Sequence, residues 1–307
     1  MIDAGGVRCG AGRIPILIDT DFATNVDDLL AVLFAAGSEV LDLVAVTTVH
    51  GLPEVRGRSV RYVLDLTGKV SVPVGVGRIP VEGELFVSGY ERTYVPPRFQ
   101  SGELASAPSV FKDALQQHGD NLVVAAIGPL SNVAAWLSEP LECRPRLVLA
   151  MAGCFKQSGT DRNVGSDVAA ARKLAEAGVP ILFVGIEVCR QVIYGPEDLE
   201  KIGERAGGSE IYKLLETQSR NWWSFKGKTF SNPCDPLTLM ALASPNLFSF
   251  QRADVSFVVG GERSGQTIWS DHKSGRFLRA TTVDSDMARH QIVSTVSAAL
   301  GGASDNR

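Results

Sequence analysis

A chain of 307 residues, 45% of them hydrophobic, holds ample apolar material for a buried core, which excludes a disordered chain. Its 30 basic and 34 acidic side chains leave a formal net charge of -4, without the broad positive field that nucleic acid or an anionic membrane attracts, so the expected partner is a small molecule. Five scattered cysteines (Cys9, Cys143, Cys154, Cys189 and Cys234) with no C-x-x-C pair exclude a disulfide framework and a structural zinc site; with no leader-like start and no long apolar span, they predict a soluble cytoplasmic protein.

In chain order, the glycine-rich residues 1–13 read as a flexible start, 14–300 as a single domain and 301–307 as a tail. Ile14 to Ile18 is an apolar run ending in acid, and Asp27 to Ala36 then has helical spacing up to a stop at Gly37. The same strand and helix alternation recurs as Leu41–Thr48 with Glu54–Leu66, Leu122–Ile127 with Leu130–Leu137, and Leu147–Met151 with Val168–Ala177 before the strand Ile181–Ile186. Such alternation predicts an α/β fold with an open, mostly parallel, Rossmann-like sheet flanked by helices, whose ligands bind at the carboxyl ends of the strands. Residues 78–108, rich in Pro, Gly and Ser, are too long for an ordinary connection and read as a lid or a loosely ordered insertion. Ser209 to Lys228 reads as a long helix ending in Trp222, Trp223 and Phe225, which either stack on a flat ligand or pack as core.

The chemistry concentrates in the first loop, where Asp19, Asp21, Asp27 and Asp28 fall within ten positions directly after an apolar strand. Carboxylates that close call for a cation, and hard oxygen donors select calcium or magnesium over zinc or copper. Capping of the following helix accounts for Asp27 and Asp28 but not for Asp19 and Asp21, which alternate on a strand end and point the same way. An Asp-x-Asp after a strand also opens the haloacid dehalogenase type of phosphotransferase, with Asp19 as nucleophile. Ser131 fits that reading, but no later acidic pair follows an apolar strand.

Asp19-Thr20-Asp21 followed by Val26-Asp27-Asp28 resembles the signature of the inosine–uridine-preferring nucleoside hydrolases. Further motifs agree in order: Thr47-Thr48-Val49-His50-Gly51, Gly128-Pro129-Leu130-Ser131-Asn132, Met151-Ala152-Gly153, Asp161-Arg162-Asn163 with Asp167, and Cys234-Asp235-Pro236. The resemblance runs from about Ile14 to Leu300. It implies a Ca2+-dependent hydrolase of the N-glycosidic bond of ribonucleosides, acting as a homodimer or homotetramer. By motif, Asp21, Asp28 and Asp235 would hold the metal with the backbone carbonyl of Ile127, and Asp21 would be the general base. Asp27, Asn163 and Asp161 would bind the ribose, with Asp19 bracing the cluster.

Several positions depart from the family pattern. Leu52 stands where an asparagine is usual, Asn25 where close relatives carry Asp, and Val87-Ser88-Gly89 where a loop histidine is usual. Arg162 replaces an aromatic residue, and Cys234 replaces the histidine credited with protonating the departing base. A thiol near its ordinary pKa is a poor acid for that task. His50, Trp222 and Trp223 are the alternatives for contacting the base, and Arg162 with residues 78–108 for recognising a modified base or a phosphorylated sugar. A catalytically silent nucleoside-binding or ribose-binding protein, with Leu52 and Cys234 as its marks, stays open beside the hydrolase.

Overall fold

The computed structural model of the chain describes residues 12–80, 85–156 and 159–301. The flexible start and tail expected at 1–13 and 301–307 therefore lie almost wholly outside the described residues. Arg13 is tied down, its Nε donating to the Leu41 carbonyl at 2.9 Å.

The strands are β1 (Ile14–Thr20), β2 (Leu41–Thr48), β3 (Val74–Val76), β4 (Ala105–Ser106), β5 (Val123–Ala126), β6 (Leu147–Met151), β7 (Ile181–Val184), β8 (Phe248–Phe257), β9 (Thr267–Asp271) and β10 (Phe277–Val283). They form one sheet in the order β4-β3-β2-β1-β5-β6-β7-β10-β8-β9. From β4 to β10 every pairing is parallel, and β8 and β9 add an antiparallel edge. The helices are α1 (Val26–Gly37), α2 (Pro53–Leu66), α3 (Ala107–His118), α4 (Ser131–Ser138), α5 (Arg162–Ser166), α6 (Val168–Glu176), α7 (Ile186–Cys189), α8 (Pro196–Ala206), α9 (Glu210–Lys226), α10 (Cys234–Ala243) and α11 (Ser285–Gly301).

The period of two in β1 explains the two cores. Ile16 and Ile18 belong to the core that includes Leu29 of α1, Leu237 of α10 and Ile292 of α11, whereas Leu17 points to the other face and belongs to the core that includes Phe111, Val133 and Leu174 of α3, α4 and α6. Each of these side chains, removed from water, contributes about 1.5–3 kcal/mol before chain entropy is counted. No helix among the described residues is long and apolar enough to cross a membrane.

The predicted elements appear with ends moved by a few residues. The antiparallel edge has no counterpart in the strand and helix alternation of the sequence. Along β8, buried Ala253, Val255 and Phe257 alternate with exposed Asp254 and Ser256, a half-buried pattern unlike the continuous apolar runs of the central strands. The described part of 78–108 is neither structureless nor one unit: it contains two short 3-10 turns, Glu91–Tyr94 and Pro97–Phe99, then β4 and the start of α3.

From β1 the strand order runs outward through β2 to β4 on one side and through β5 to β7 on the other, so the connections diverge between β1 and β5. In an open α/β sheet that divergence leaves a crevice at the carboxyl ends. Asp21 follows β1, Ile127 follows β5 and Met151 ends β6, which brings all three to that crevice.

Candidate active site

A cavity of about 550 Å³ opens there, lined in part by Asp21, Asp27, Asp28, Ile127, Asn163 and Asp235. Cys234, Asp161, Arg162, Arg190 and Phe86 also reach it. The carboxylates of Asp27, Asp28 and Asp235 each offer an oxygen within 4.8 Å of the others. They arrive on two helix N-termini: Asp27 and Asp28 in the first turn of α1, Asp235 in the first turn of α10. The partial positive charge of both helix ends offsets some of their repulsion. The capping of α1 falls to Asn25, whose side chain accepts from the Val26 amide at 2.7 Å, so Asp27 and Asp28 are not needed as its cap.

All three are buried. Burial, reinforced by Asp21, pushes Asp27 up to about 7. Asp28 is held well above the carboxylate range by burial and then by Asp21 and Asp27, and Asp235 by burial and then by Asp27 and Asp28. Buried carboxylates that raise one another in this way make a donor set of hard oxygens, and their spacing suits a shared cation with ligand distances of about 2.3–2.6 Å. The residues fit a hard divalent ion.

Asp19 stands apart from the other acids. It is fully buried and does not line the cavity; its Oδ1 accepts from Thr47 Oγ1 at 2.6 Å and Asn132 Nδ2 at 2.8 Å. That placement tells against the phosphotransferase reading, which needs Asp19 exposed to substrate as a nucleophile. Asn132 also donates to the Thr48 carbonyl at 3.1 Å, joining the ends of β1 and β2 to the start of α4. Gly128 allows a close approach: a Cβ there would lie 2.7 Å from the Asp21 backbone nitrogen.

Asn163 sends its amide Nδ2 to the carbonyls of Ile127, at 2.8 Å, and Met151, at 3.0 Å. Asp161 caps α5, with Oδ1 accepting from the Val164 amide at 3.1 Å and Oδ2 from Gly153 at 2.7 Å. Burial raises its pKa to about 6 against those bonds. Both residues line the cavity, yet each is also a brace for the backbone around it. The Cys234 thiol is held well above its ordinary range, first by its hydrogen bond with the Cys189 thiol and then by burial, so it is a still weaker acid than a free thiol.

Three residues expected near the base do not line this cavity. Trp222 and Trp223 are 7% and 6% exposed within the core, and Trp223 Nε1 donates to Ser231 Oγ at 2.9 Å, which favours packing over stacking on a ligand. His50 is buried, and its Nε2 accepts the Phe86 amide at 3.0 Å, so the ring holds Phe86 in place. Its pKa is lowered, chiefly by burial. Leu52 faces a separate cavity with Pro53, Arg58 and Ile79.

Two supports carry no motif in the sequence. Arg56 of α2 is fully buried; its Nε donates to the His50 carbonyl at 2.8 Å and its Nη1 to the carbonyls of Asp21 and Phe22 and to Thr24 Oγ1. Gly51, at φ +62, leaves it room, since a Cβ there would lie 2.8 Å from Arg56 Nη2. Thr24 in turn donates to Glu91 Oε1 at 2.9 Å. Ala23 and His50, the only non-glycine residues at positive φ among the described residues, flank this network, so it holds strained backbone beside the acids.

Glu91 also accepts from the amides of Ser88 and Gly89. Burial alone would raise its pKa, but its own amide, the Ser88 amide and the hydroxyls of Thr24 and Ser88 outweigh burial and hold it below the ordinary value. A depressed folded pKa contributes stability above the unfolded value of about 4.3, lost as pH falls through the lower folded value. Glu91→Gln is expected to cost about 1.5–3 kcal/mol at pH 7 and to flatten the acid limb of the Tm–pH curve. An unchanged acid limb would show that Glu91 does not carry it.

The family model described as inosine-uridine preferring nucleoside hydrolase matches residues 16–299. A non-specific ribonucleoside hydrolase, RihC, of Escherichia coli O1:K1 / APEC is 29% identical over 276 residues, covering 83% of this chain and 88% of its own. A pyrimidine-specific ribonucleoside hydrolase, RihA, of Escherichia coli O8 (strain IAI1) is 26% identical over 280 residues, with the same coverage of 83% and 88%. Among solved structures, a purine-preferring ribonucleoside hydrolase from Gardnerella vaginalis superposes with a TM-score of 0.82 at 21% identity, covering 94% of this chain and 99% of its own. A plant nucleoside hydrolase gives 0.78 at 23% identity, covering 92% and 98%.

Proposed function

The chain belongs to the inosine-uridine preferring nucleoside hydrolase family and is an N-glycosyl hydrolase; from that premise we propose that it cleaves ribonucleosides to free base and ribose with calcium held by Asp21, Asp28, Asp235 and the Ile127 carbonyl. The observation that carries this reading is that Asp28 and Asp235 meet with Asp27 in the cavity that Asp21 and Ile127 also line; Asp21 takes its place as a ligand, and Asp27 its place at the sugar, by the family motif. Calcium, when bound, supplies the positive charge that keeps the clustered carboxylates ionised and makes a neighbouring water easier to deprotonate.

Asp21 accepts the proton of the attacking water at its carboxylate as the water oxygen bonds to the anomeric carbon and the C–N bond breaks. Asp27 receives ribose hydroxyls as a hydrogen-bond acceptor. Asn163 holds the Ile127 carbonyl in line and Asp161 fixes the α5 turn, both positioning the sugar site through the backbone. Asp19 aligns β1 with β2 beneath them. The base departs with the bonding electrons and takes its proton from a donor other than the Cys234 thiol, whose pKa is too high for the task.

The test is release of reducing sugar from a panel of purine, pyrimidine and modified ribonucleosides, with calcium present and after chelation. Absence of release from every nucleoside by folded, calcium-loaded protein would overturn the reading. The raised Cys234 thiol favours one second reading, a silent nucleoside binder, recognised by calorimetric binding without sugar release.

A further inference from the structure

We propose that the rim of this cavity selects nucleosides carrying an anionic substituent and that Arg162 recognises it, an inference that rests on the ribonucleoside reading above. The floor of the cavity is acidic and by itself disfavours anions, but exposed Arg162 and Arg190 contribute to the lining. Arg162 opens α5 between Asp161 and Asn163, whose buried side chains are bonded to backbone. Its own side chain lies over Phe86, with the guanidinium carbon 3.6 Å from the ring centroid.

Phe86 is a firm platform for that contact. The His50 ring holds its amide, and its ring meets Trp222 and Phe225 edge-on at 6.2 and 6.0 Å. Stacking therefore sets where the guanidinium sits, with no hydrogen bond or ion pair to it among the described residues. A stacked guanidinium keeps its in-plane N–H donors open, and that fork matches a carboxylate or phosphate in bidentate fashion.

A second cation stands close by. Lys226, in the last turn of α9, lies 5.6 Å from the Trp222 ring centroid. Burial, then the like charges of Arg162 and Lys228 hold its ammonium below the ordinary range. A ligand anion there relieves that repulsion while the rest of the ligand reaches the acids below. A 5′-phosphate or a carboxylate on the base supplies such an anion; the shared chemistry is a bidentate oxyanion.

The experiment compares uridine, uridine 5′-monophosphate and 6-carboxyuridine in calcium-supplemented wild type, Arg162→Gln and Arg162→Lys. Calorimetry gives Kd and base release gives kcat/KM, so the outcome does not depend on turnover alone. One anionic ligand is expected to bind about 10- to 100-fold more tightly than uridine, the effect of a charge-assisted contact. The preference is lost in Arg162→Gln and partly kept in Arg162→Lys. A preference for the monophosphate places the anion on the sugar side, and one for the carboxylate places it on the base side. Equal or weaker binding of both anions, or a preference that survives in Arg162→Gln, overturns the proposal and leaves the hydrolase reading standing. Failure to bind or cleave any of the three, or their purine counterparts, overturns both.

Discussion

If Asp21 is the general base and metal ligand proposed above, Asp21→Ala is expected to lower kcat/KM for ribonucleoside hydrolysis by about 10³-fold or more, within the 10²–10⁴ range of a positioned general base and with loss of a ligand added. The backbone reason is local. Arg56 holds the Asp21 carbonyl, and Gly128 lets the neighbouring strand end approach the Asp21 amide, so the carboxylate is presented from a braced turn at the end of β1. Asp21→Asn separates the two roles. It keeps an oxygen donor and the side-chain volume while removing the base, so kcat falls by about 10²-fold or more and calcium affinity falls less than in Asp21→Ala. An Asp21→Asn variant that keeps half of the wild-type kcat would sink the assignment of the base without touching family membership.

Calcium is expected to stabilise the folded chain, and its removal to leave the acids in mutual repulsion. At a free concentration a hundredfold above Kd, binding to the native state adds about 2.7 kcal/mol, which for a domain of this size corresponds to a Tm rise of roughly 5 °C. Asp28→Asn and Asp235→Asn should each shrink that rise. In chelator the order reverses, with both variants more stable than wild type, because each removes one member of a buried set whose charges oppose one another. Thermal scans with calcium and with chelator read both effects. A calcium-induced shift that persists undiminished in Asp28→Asn would mean that the ion binds elsewhere. The apparent affinity should also fall as pH is lowered, since protons compete for the same carboxylate oxygens.

The departures from the family pattern acquire different weights in three dimensions. Cys234 matters because it lines the cavity and its thiol, hydrogen-bonded to the free thiol of Cys189 and buried, is moved further from acid chemistry. Leu52 matters less for this site, because it faces another cavity. The backbone carbonyls of Asp21 and Phe22, at the start of the acidic loop, and of His50, after β2, are instead gathered by Arg56. Arg162 carries the largest change in chemistry, since a cation stands where the family pattern has an aromatic ring, and the ring it covers, Phe86, comes from a distant segment.

What the amino-acid order determined by itself is what local physics controls. Ile14–Thr20 is a strand buried on both faces because its apolar run leaves no polar side to expose, and Asp27 to Ala36 continues as a helix because its apolar residues recur with a helical period. Asp21, Asp27 and Asp28 were legible as one acidic group because a short loop joins β1 to α1, and short spacing in sequence there is short spacing in space. Ordered motifs brought Ile127, Asn163 and Asp235 into the expectation from far along the chain. Tertiary structure alone decided how those groups are used. Asp19 turns inward to Thr47 and Asn132, Asp161 and Asn163 bond to backbone, and Trp222 and Trp223 join the core. Arg56, Glu91 and the Arg162–Phe86 stack had no sequence signal, because their partners lie 35, 67 and 76 positions away, as with Asp21, Thr24 and Phe86. A side chain's chemistry travels with its residue, but its hydrogen-bond partners and its exposure are set only when the sheet brings distant strand ends together.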